Sequence, residues 1–372
     1  MGRASPVTER QAIDALMGLF AREGFARVEP AVLQPADVFV DLSGEDIRRR
    51  LFALQDAAGA ELCLRPEYTI PVCREHLARH GEAPAAYAYG GPVFRMRQGE
   101  AGEFLQAGIE SIGRPDAAAA DADILGIAVE GLDRLGCADT RVRLGDMGLL
   151  DALVDALGLS PSGKRRIVRA IVSGQGLGGL ADPGDGAAHA GLLAAIEGQA
   201  PQAARAFVED ILSIAGIASV GGRSAGEIAE RFLARAANRS GLGDEARLVL
   251  ERYLAIEGDP DEAADAVRAL VADAGLDLAA AVEAFEERNG FMAARGLDLA
   301  GFTFQAGFAR NLDYYTGFIF EIQDPARPDG RPIVGGGRYD RLLRHLGAAA
   351  AVPAVGCSFW LDRIAARGGT HD

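Results

Sequence analysis

Apolar residues recur at helical spacing from Thr8 to Ala21, at Ala12, Ala15, Leu16, Leu19 and Phe20. The spacing predicts an amphipathic helix with Thr8 as its N-cap. Phe25-Ala26-Arg27-Val28-Glu29-Pro30 then reads as an extended stretch ended by proline. Residues 51 to 80 predict two short strands, Leu51 to Gln55 and Glu61 to Leu64, and a helix from Ile70 to Arg79. It starts behind Thr69, with Pro71 in the first turn, where proline costs no hydrogen bond. Tyr87, Tyr89, Val93 and Phe94 lie in a strand-like run, Gln98 to Glu103 is polar and Gly-punctuated, and Phe104 to Ile112 alternates. That pattern predicts a hairpin, with Arg95 on one strand and Gln106 and Glu110 on the other; periodicity alone favours an ordinary solvated hairpin over one whose cation and two hydrogen-bonding side chains face one pocket.

Further on, helices are predicted over Ala117 to Leu135 and Met147 to Leu157, with a strand at Arg141 to Leu144 between them. From there to residue 295 the chain reads as Ala-rich and helical, with segments at 164–173, 187–197, 201–215, 225–236, 243–256, 260–274 and 278–295. Phe302 to Phe308 and Phe318 to Ile322 read as strands joined by a polar turn, a hairpin or meander.

Composition narrows the functional classes. The 372 residues, 49% hydrophobic, suit one large domain plus an inserted or appended piece. A net charge of −15 and a pI near 4.9 argue against a surface that wraps nucleic acid, and Lys164 is the only lysine. Cys63, Cys73, Cys137 and Cys357 lack the paired short spacing of a zinc site and read as buried apolar residues. No metal or cofactor is expected. The N-terminus lacks a signal-peptide core and no run of about 18 apolar residues occurs, so a cytoplasmic protein without a membrane partner is expected. Gly158 to Lys164 nearly spells a phosphate loop, but Arg165 replaces the magnesium-holding Ser or Thr and a helix precedes it. A helix-to-helix turn is the better reading.

Several strings carry a resemblance. Phe94-Arg95, a loop, and Gln106-x-Gly108-x-Glu110-x-x-Gly113 resemble motif 2 of the class II aminoacyl-tRNA synthetases, in the form found in the histidyl-tRNA synthetase family. Leu64-Arg65-Pro66-Glu67-x-Thr69 resembles that family's Leu-Arg-Pro-Glu-Gly-Thr, with Tyr68 where glycine is usual and bulky enough to crowd the pocket. Arg310-Asn311-Leu312-Asp313-Tyr314-Tyr315 resembles its Arg-Gly-Leu-Asp-Tyr-Tyr signature, and Gly335-Gly336-Gly337-Arg338-Tyr339-Asp340 its glycine-rich turn. Ala354 to Ile364 resembles motif 3, with Phe359 and Trp360 in place of smaller residues near the adenine. The helix and strand ending at Pro30 resemble motif 1, the family's dimer interface.

The resemblance implies an α+β fold: a class II synthetase-like core, an antiparallel sheet flanked by helices, over 1–157 and 296–372. Residues 158–295 become a mostly helical insertion and return into the core, with no anticodon-binding domain expected. It implies a histidine pocket made by Glu67, Thr69, Gln106, Glu110, Arg310, Tyr314, Tyr315 and Tyr339, and vestigial ATP-site cations at Arg95 and Arg363. Arg97, Glu100, Gly102, Glu103 and Leu105 depart from the synthetases' ATP-handling loop. Withdrawn positive charge there disfavours adenylation. A kept amino-acid pocket beside an altered ATP side is similar to the family's paralogous regulatory subunits. These partner a short-form ATP phosphoribosyltransferase catalytic subunit at the first step of histidine biosynthesis. They have no catalytic residues of their own, and histidine is the expected effector. The alternatives are a truncated synthetase-like enzyme that adenylates an amino acid, and a dimerising scaffold with a dead pocket.

Overall fold

The computed structural model describes residues 8–40, 47, 49–137, 139–159, 161–172, 219–220, 223–224, 243–310, 314–327 and 329–365. Two compact units result: 1–153 with 252–372, and 154–251. Of residues 158–295, read from the sequence as a mostly helical insertion and return without a dividing point, 252–295 belong to the first unit. The segments expected at 187–197, 201–215 and 225–236, and Asn311 to Asp313 of the signature string, lie outside the described residues.

In the first unit, helix α1 (Glu9–Arg22) opens with a capping box. Thr8 Oγ1 accepts from the Gln11 amide while the Gln11 side chain accepts from the Thr8 amide. Its apolar stripe of Ala12, Leu16, Leu19 and Phe20 is buried. Strand β1 (Ala26–Arg27) is short. A small sheet of β2 (Leu33–Pro35), β3 (Ala53–Gln55) and β4 (Glu61–Leu64) is ordered β2-β4-β3. Helix α2 (Thr69–His80) follows. The predicted hairpin is present as β5 (Ala85–Phe94) and β6 (Glu103–Ile112), ten residue pairs in register. Helix α3 (Ala117–Arg134), strand β7 (Arg141–Asp146) and helix α4 (Met147–Ala156) come next.

After α4 come α5 (Pro161–Val172), a two-stranded sheet of β8 (Ser219–Val220) and β9 (Arg223–Ser224), and α6 (Asp244–Leu254). Then follow β10 (Glu257–Gly258), α7 (Pro260–Asp273), α8 (Ala279–Ala294), β11 (Phe302–Gln305), β12 (Phe318–Gln323), β13 (Pro332–Arg338), α9 (Leu342–His345), β14 (Ala354–Trp360) and α10 (Leu361–Ala365).

One nine-stranded sheet organises the first unit, in the order β1-β5-β6-β14-β13-β12-β7-β11-β10. Pairing is antiparallel except for β1 with β5 and β11 with β7. The expected hairpin of Phe302 to Phe308 with Phe318 to Ile322 is not formed. Strand β7 lies between them, pairing six residues with β12 and three with β11. The connection over 306–317 is far longer than a tight hairpin loop, and Val142 and Leu144 of β7 give the wedged strand its own buried face. The glycine triplet is not a turn either. Gly335, Gly336 and Gly337 are inside β13, and a Cβ on Gly336 would stand 2.4 Å from the Gly356 carbonyl, so the neighbouring strand enforces glycine.

Because residues alternate faces along a strand, register sorts the whole sheet. Tyr87, Tyr89 and Gly91 align with Glu110, Gly108 and Gln106. These in turn align with Gly356, Ser358 and Trp360 on one face. Ile109, Cys357 and Phe359 take the other face, where Phe359 meets Phe20 of α1 at 5.9 Å between ring centroids.

Candidate functional site

The first face has a glycine floor, and each missing side chain makes room for a functional one. A Cβ on Gly356 would stand 1.7 Å from Glu110 Oε2, and one on Gly335 would stand 2.1 Å from Arg310 Nη1. At Gly108 it would stand 2.4 Å from the Tyr89 hydroxyl. Glu110, only 1% exposed, sits in the hollow these glycines leave. Its Oε1 accepts from Thr69 Oγ1 at 2.7 Å and from the Tyr89 hydroxyl at 3.2 Å, and its Oε2 accepts from the Tyr339 hydroxyl. Burial pushes the Glu110 carboxyl up to about 8, against the three hydroxyls that favour its charge.

Glu67 holds the adjacent helix end. Its carboxylate accepts from the Thr69 amide at 2.5 Å and the Ile70 amide at 2.9 Å, supplying α2 with the cap that Tyr68 does not. Burial raises the Glu67 carboxyl too, opposed by the Ile70 amide, Arg95 and Thr69. Around these acids stand the tyrosines. Tyr314 meets Tyr339 edge-on at 5.9 Å and Tyr315 at 5.0 Å. Arg310 lies 5.8 Å from the centroids of both Tyr315 and Trp360, and Nη1 donates to Glu321 at 3.0 Å. Its Nε is buried without a partner. Gln106, level with Trp360, has a buried Oε1 that is likewise unpartnered. The arrangement offers buried carboxyls for a cationic or imidazole group, aromatic walls, and a guanidinium for a carboxylate.

Further along the same face the cations gather: backbone carbonyls and an indole hold Arg95 and Arg363, and the chain's own acids hold Arg97, Arg327 and Arg331. Arg95 Nε donates to the Pro66 carbonyl at 2.6 Å. Arg363 stacks over Trp360 at 4.6 Å. Burial, with Arg331, Arg95 and Arg327 nearby, lowers the Arg363 guanidinium to about 10. Arg97 pairs with Asp362 at 3.0 Å and Glu100 at 2.9 Å. Arg331 joins Glu100 at 2.6 Å to Asp329 at 2.8 Å, and Arg327 also pairs with Asp329 at 2.8 Å.

The candidate residues therefore converge: Glu67, Thr69, Glu110, Tyr314, Tyr315, Tyr339 and Arg310 form one cluster, with Gln106 beside it and Arg95 and Arg363 at its cationic end. Phe359 is not part of it, because strand alternation turns it to the helical face. Tyr68 does fill space here, stacked on Tyr89 at 4.3 Å with its hydroxyl accepting from Arg65 at 2.5 Å. Sequence reasoning missed Tyr89, Ser358 and Glu321. Tyr89, 2.7 Å from Ser358, shares Glu110's face through the hairpin register, and Glu321 sits opposite Gly335, so strand register marks both. The phosphate-loop-like string instead leads into α5, where Lys164 pairs with Asp155 at 3.2 Å.

The histidyl-tRNA synthetase family profile matches residues 6–206 and 226–364. The chain belongs to that family. Among curated proteins it is 43% identical over 356 residues to an ATP phosphoribosyltransferase regulatory subunit of Mesorhizobium japonicum, covering 94% of this chain and 95% of that one. A protein of the same name in Brucella canis is 39% identical over 375 residues, covering 99% and 98%. Among solved structures, a histidine–tRNA ligase subunit of Alicyclobacillus acidocaldarius superposes with a TM-score of 0.60 at 26% identity, covering 98% of this chain and 95% of that one. A Bacillus halodurans structure titled ATP phosphoribosyltransferase regulatory subunit/histidyl-tRNA synthetase gives 0.69 at 22%, covering 98% and 79%, a likeness of fold. Among the described residues no helix is long and apolar enough to cross a membrane.

Proposed function

We propose that this chain is a regulatory subunit of ATP phosphoribosyltransferase: it binds and activates a short-form catalytic subunit, and histidine bound in the Glu110 pocket inhibits the pair. The observation that carries the reading is the split character of the site. Its amino-acid end keeps buried carboxyls, tyrosines and Arg310, while Arg97, Arg327 and Arg331 are neutralised by Glu100, Asp329 and Asp362. Adenylation needs cations free to meet the triphosphate in the transition state. Here ATP must compete with carboxylates already in place. The near full-length similarity to proteins named regulatory subunits supports the same conclusion. Control then follows by linkage, since a ligand that prefers one assembly state shifts the population towards it without chemistry on the sensing subunit.

Self-association belongs to this reading. On the small sheet Leu54 pairs with Leu62, and Leu33 and Leu54 are 49% and 37% exposed, an apolar face that a second copy covers. The adenylating alternative is separated by histidine-dependent exchange of pyrophosphate into ATP, expected to be absent. Histidine binding by calorimetry separates the dead-pocket scaffold: binding lost in Arg310→Ala supports the proposal, and no binding by the wild-type chain, alone or in complex, refutes it.

A further inference from the structure

The sheet face that carries Glu110 is not an open trough. Register puts Tyr89, Val93, Phe104 and Trp360 on it, and all four are buried, from 0% to 7% exposed. Tyr68, just ahead of helix α2, and Val72 within it pack on these side chains and complete one apolar cluster. Strand alternation therefore sets an apolar cluster beside the Glu110 hollow on one surface.

The cluster lies between the two ends of the site. Trp360 reaches both: its ring centroid is 5.8 Å from the Arg310 guanidinium at the amino-acid end and 4.6 Å from that of Arg363 at the cationic end. Phe104 is covered in turn by Arg97 at 4.0 Å and Arg95 at 5.5 Å. Tyr68 is fixed through Arg65, which donates to its hydroxyl at 2.5 Å and to the Pro92 and Pro30 carbonyls at 2.9 and 2.5 Å. Guanidinium groups over these rings hold them by cation–π attraction, and a packed indole yields only by giving up its contacts. A ligand confined to the Glu110 end meets this wall. One that reaches from Arg310 to Arg363 has to displace Trp360.

We propose that Trp360 sets the length of the ligand: its indole partitions the site, which takes a free α-amino acid and rejects one whose carboxyl is extended into an ester or an acyl phosphate such as an adenylate. The proposal rests on the reading that histidine binds in the Glu110 pocket. The exclusion is steric and adds to the neutralised charges of the loop.

Calorimetry on the full chain compares L-histidine with a non-hydrolysable sulfamoyl analogue of histidyl-adenylate. The wild type should bind the analogue about a hundredfold more weakly, the consequence of displacing a buried tryptophan. In Trp360→Ala the ratio of the two affinities should fall about tenfold, and Trp360→Leu, a milder truncation, should move it the same way by less. Loss of the free carboxylate alone handicaps the analogue equally in every chain, so a change in the ratio reports the partition. Phe359→Ala, a fully buried position on the opposite face of the same strand, controls for general loosening and should leave the ratio unchanged. Equal affinities in the wild type, a ratio unmoved by both Trp360 variants, or a fall shared by Phe359→Ala overturns the proposal. Histidine binding without selectivity removes the partition alone, whereas no histidine binding by the wild type removes the pocket reading and the partition with it.

Discussion

Replacing Glu110 by glutamine gives a direct reading of the pocket's electrostatics. The carboxyl titrates near 8 in the folded chain against an ordinary 4.5, because burial disfavours its charge. Between those values the folded state holds a proton that the unfolded state has lost, so stability is full below pH 4.5 and declines as pH rises towards 8. Carried from 4.5 to about 8 at about 1.36 kcal/mol per pH unit, the decline reaches up to about 5 kcal/mol. Glu110→Gln keeps the shape and is neutral throughout, so its stability should fall less steeply over pH 5–8 than the wild type's, with the slope that remains coming from groups such as Glu67, whose carboxyl burial also raises. Trp360, the single tryptophan, lies in the same face of the sheet and reports the transition by fluorescence during urea unfolding. Parallel pH slopes for the wild type and Glu110→Gln, or a wild type that gains stability between pH 5 and 8, would refute the burial argument.

Other consequences are equally open to measurement. Gly335→Ala forces the Arg310 guanidinium out of its hollow, and removing a charged hydrogen-bond donor should weaken histidine binding by about 10- to 150-fold in calorimetry. Arg338→Met leaves Asp121 without its closest cation and should cost about 3–5 kcal/mol in urea unfolding, whereas exposed Arg252→Met, paired with Asp273, should cost under about 1 kcal/mol. The wild type should sediment as a dimer, and the double variant Leu33→Glu, Leu54→Glu as a monomer at the same concentrations.

Much of the fold was legible because local pattern and tertiary demand agree. The β5–β6 hairpin announced itself through alternating residues around a polar turn, and α1 through its apolar stripe and Thr8 cap. Long-range pairing was not legible. Nothing local to Phe302 or Phe318 says that Arg141–Asp146 enters between them, since strand order is decided by which buried faces fit across the whole sheet. The glycines misled for a related reason. Turn chemistry is the usual meaning of Gly-Gly-Gly, but here the close approach of Arg310 and of the β14 backbone demands it. Candidate residues that matched a motif could be named from the sequence, while Tyr89 and Glu321 could be placed only once register put them beside Glu110 and Arg310.

Reconstitution tests the regulatory assignment most directly. This chain is titrated into a short-form ATP phosphoribosyltransferase catalytic subunit from the same source, and phosphoribosyl-ATP formation is followed with and without histidine. Turnover should rise to a saturating ratio of subunits and acquire histidine inhibition that Arg310→Ala abolishes. Unchanged turnover, with the two proteins eluting separately on a sizing column, would contradict it.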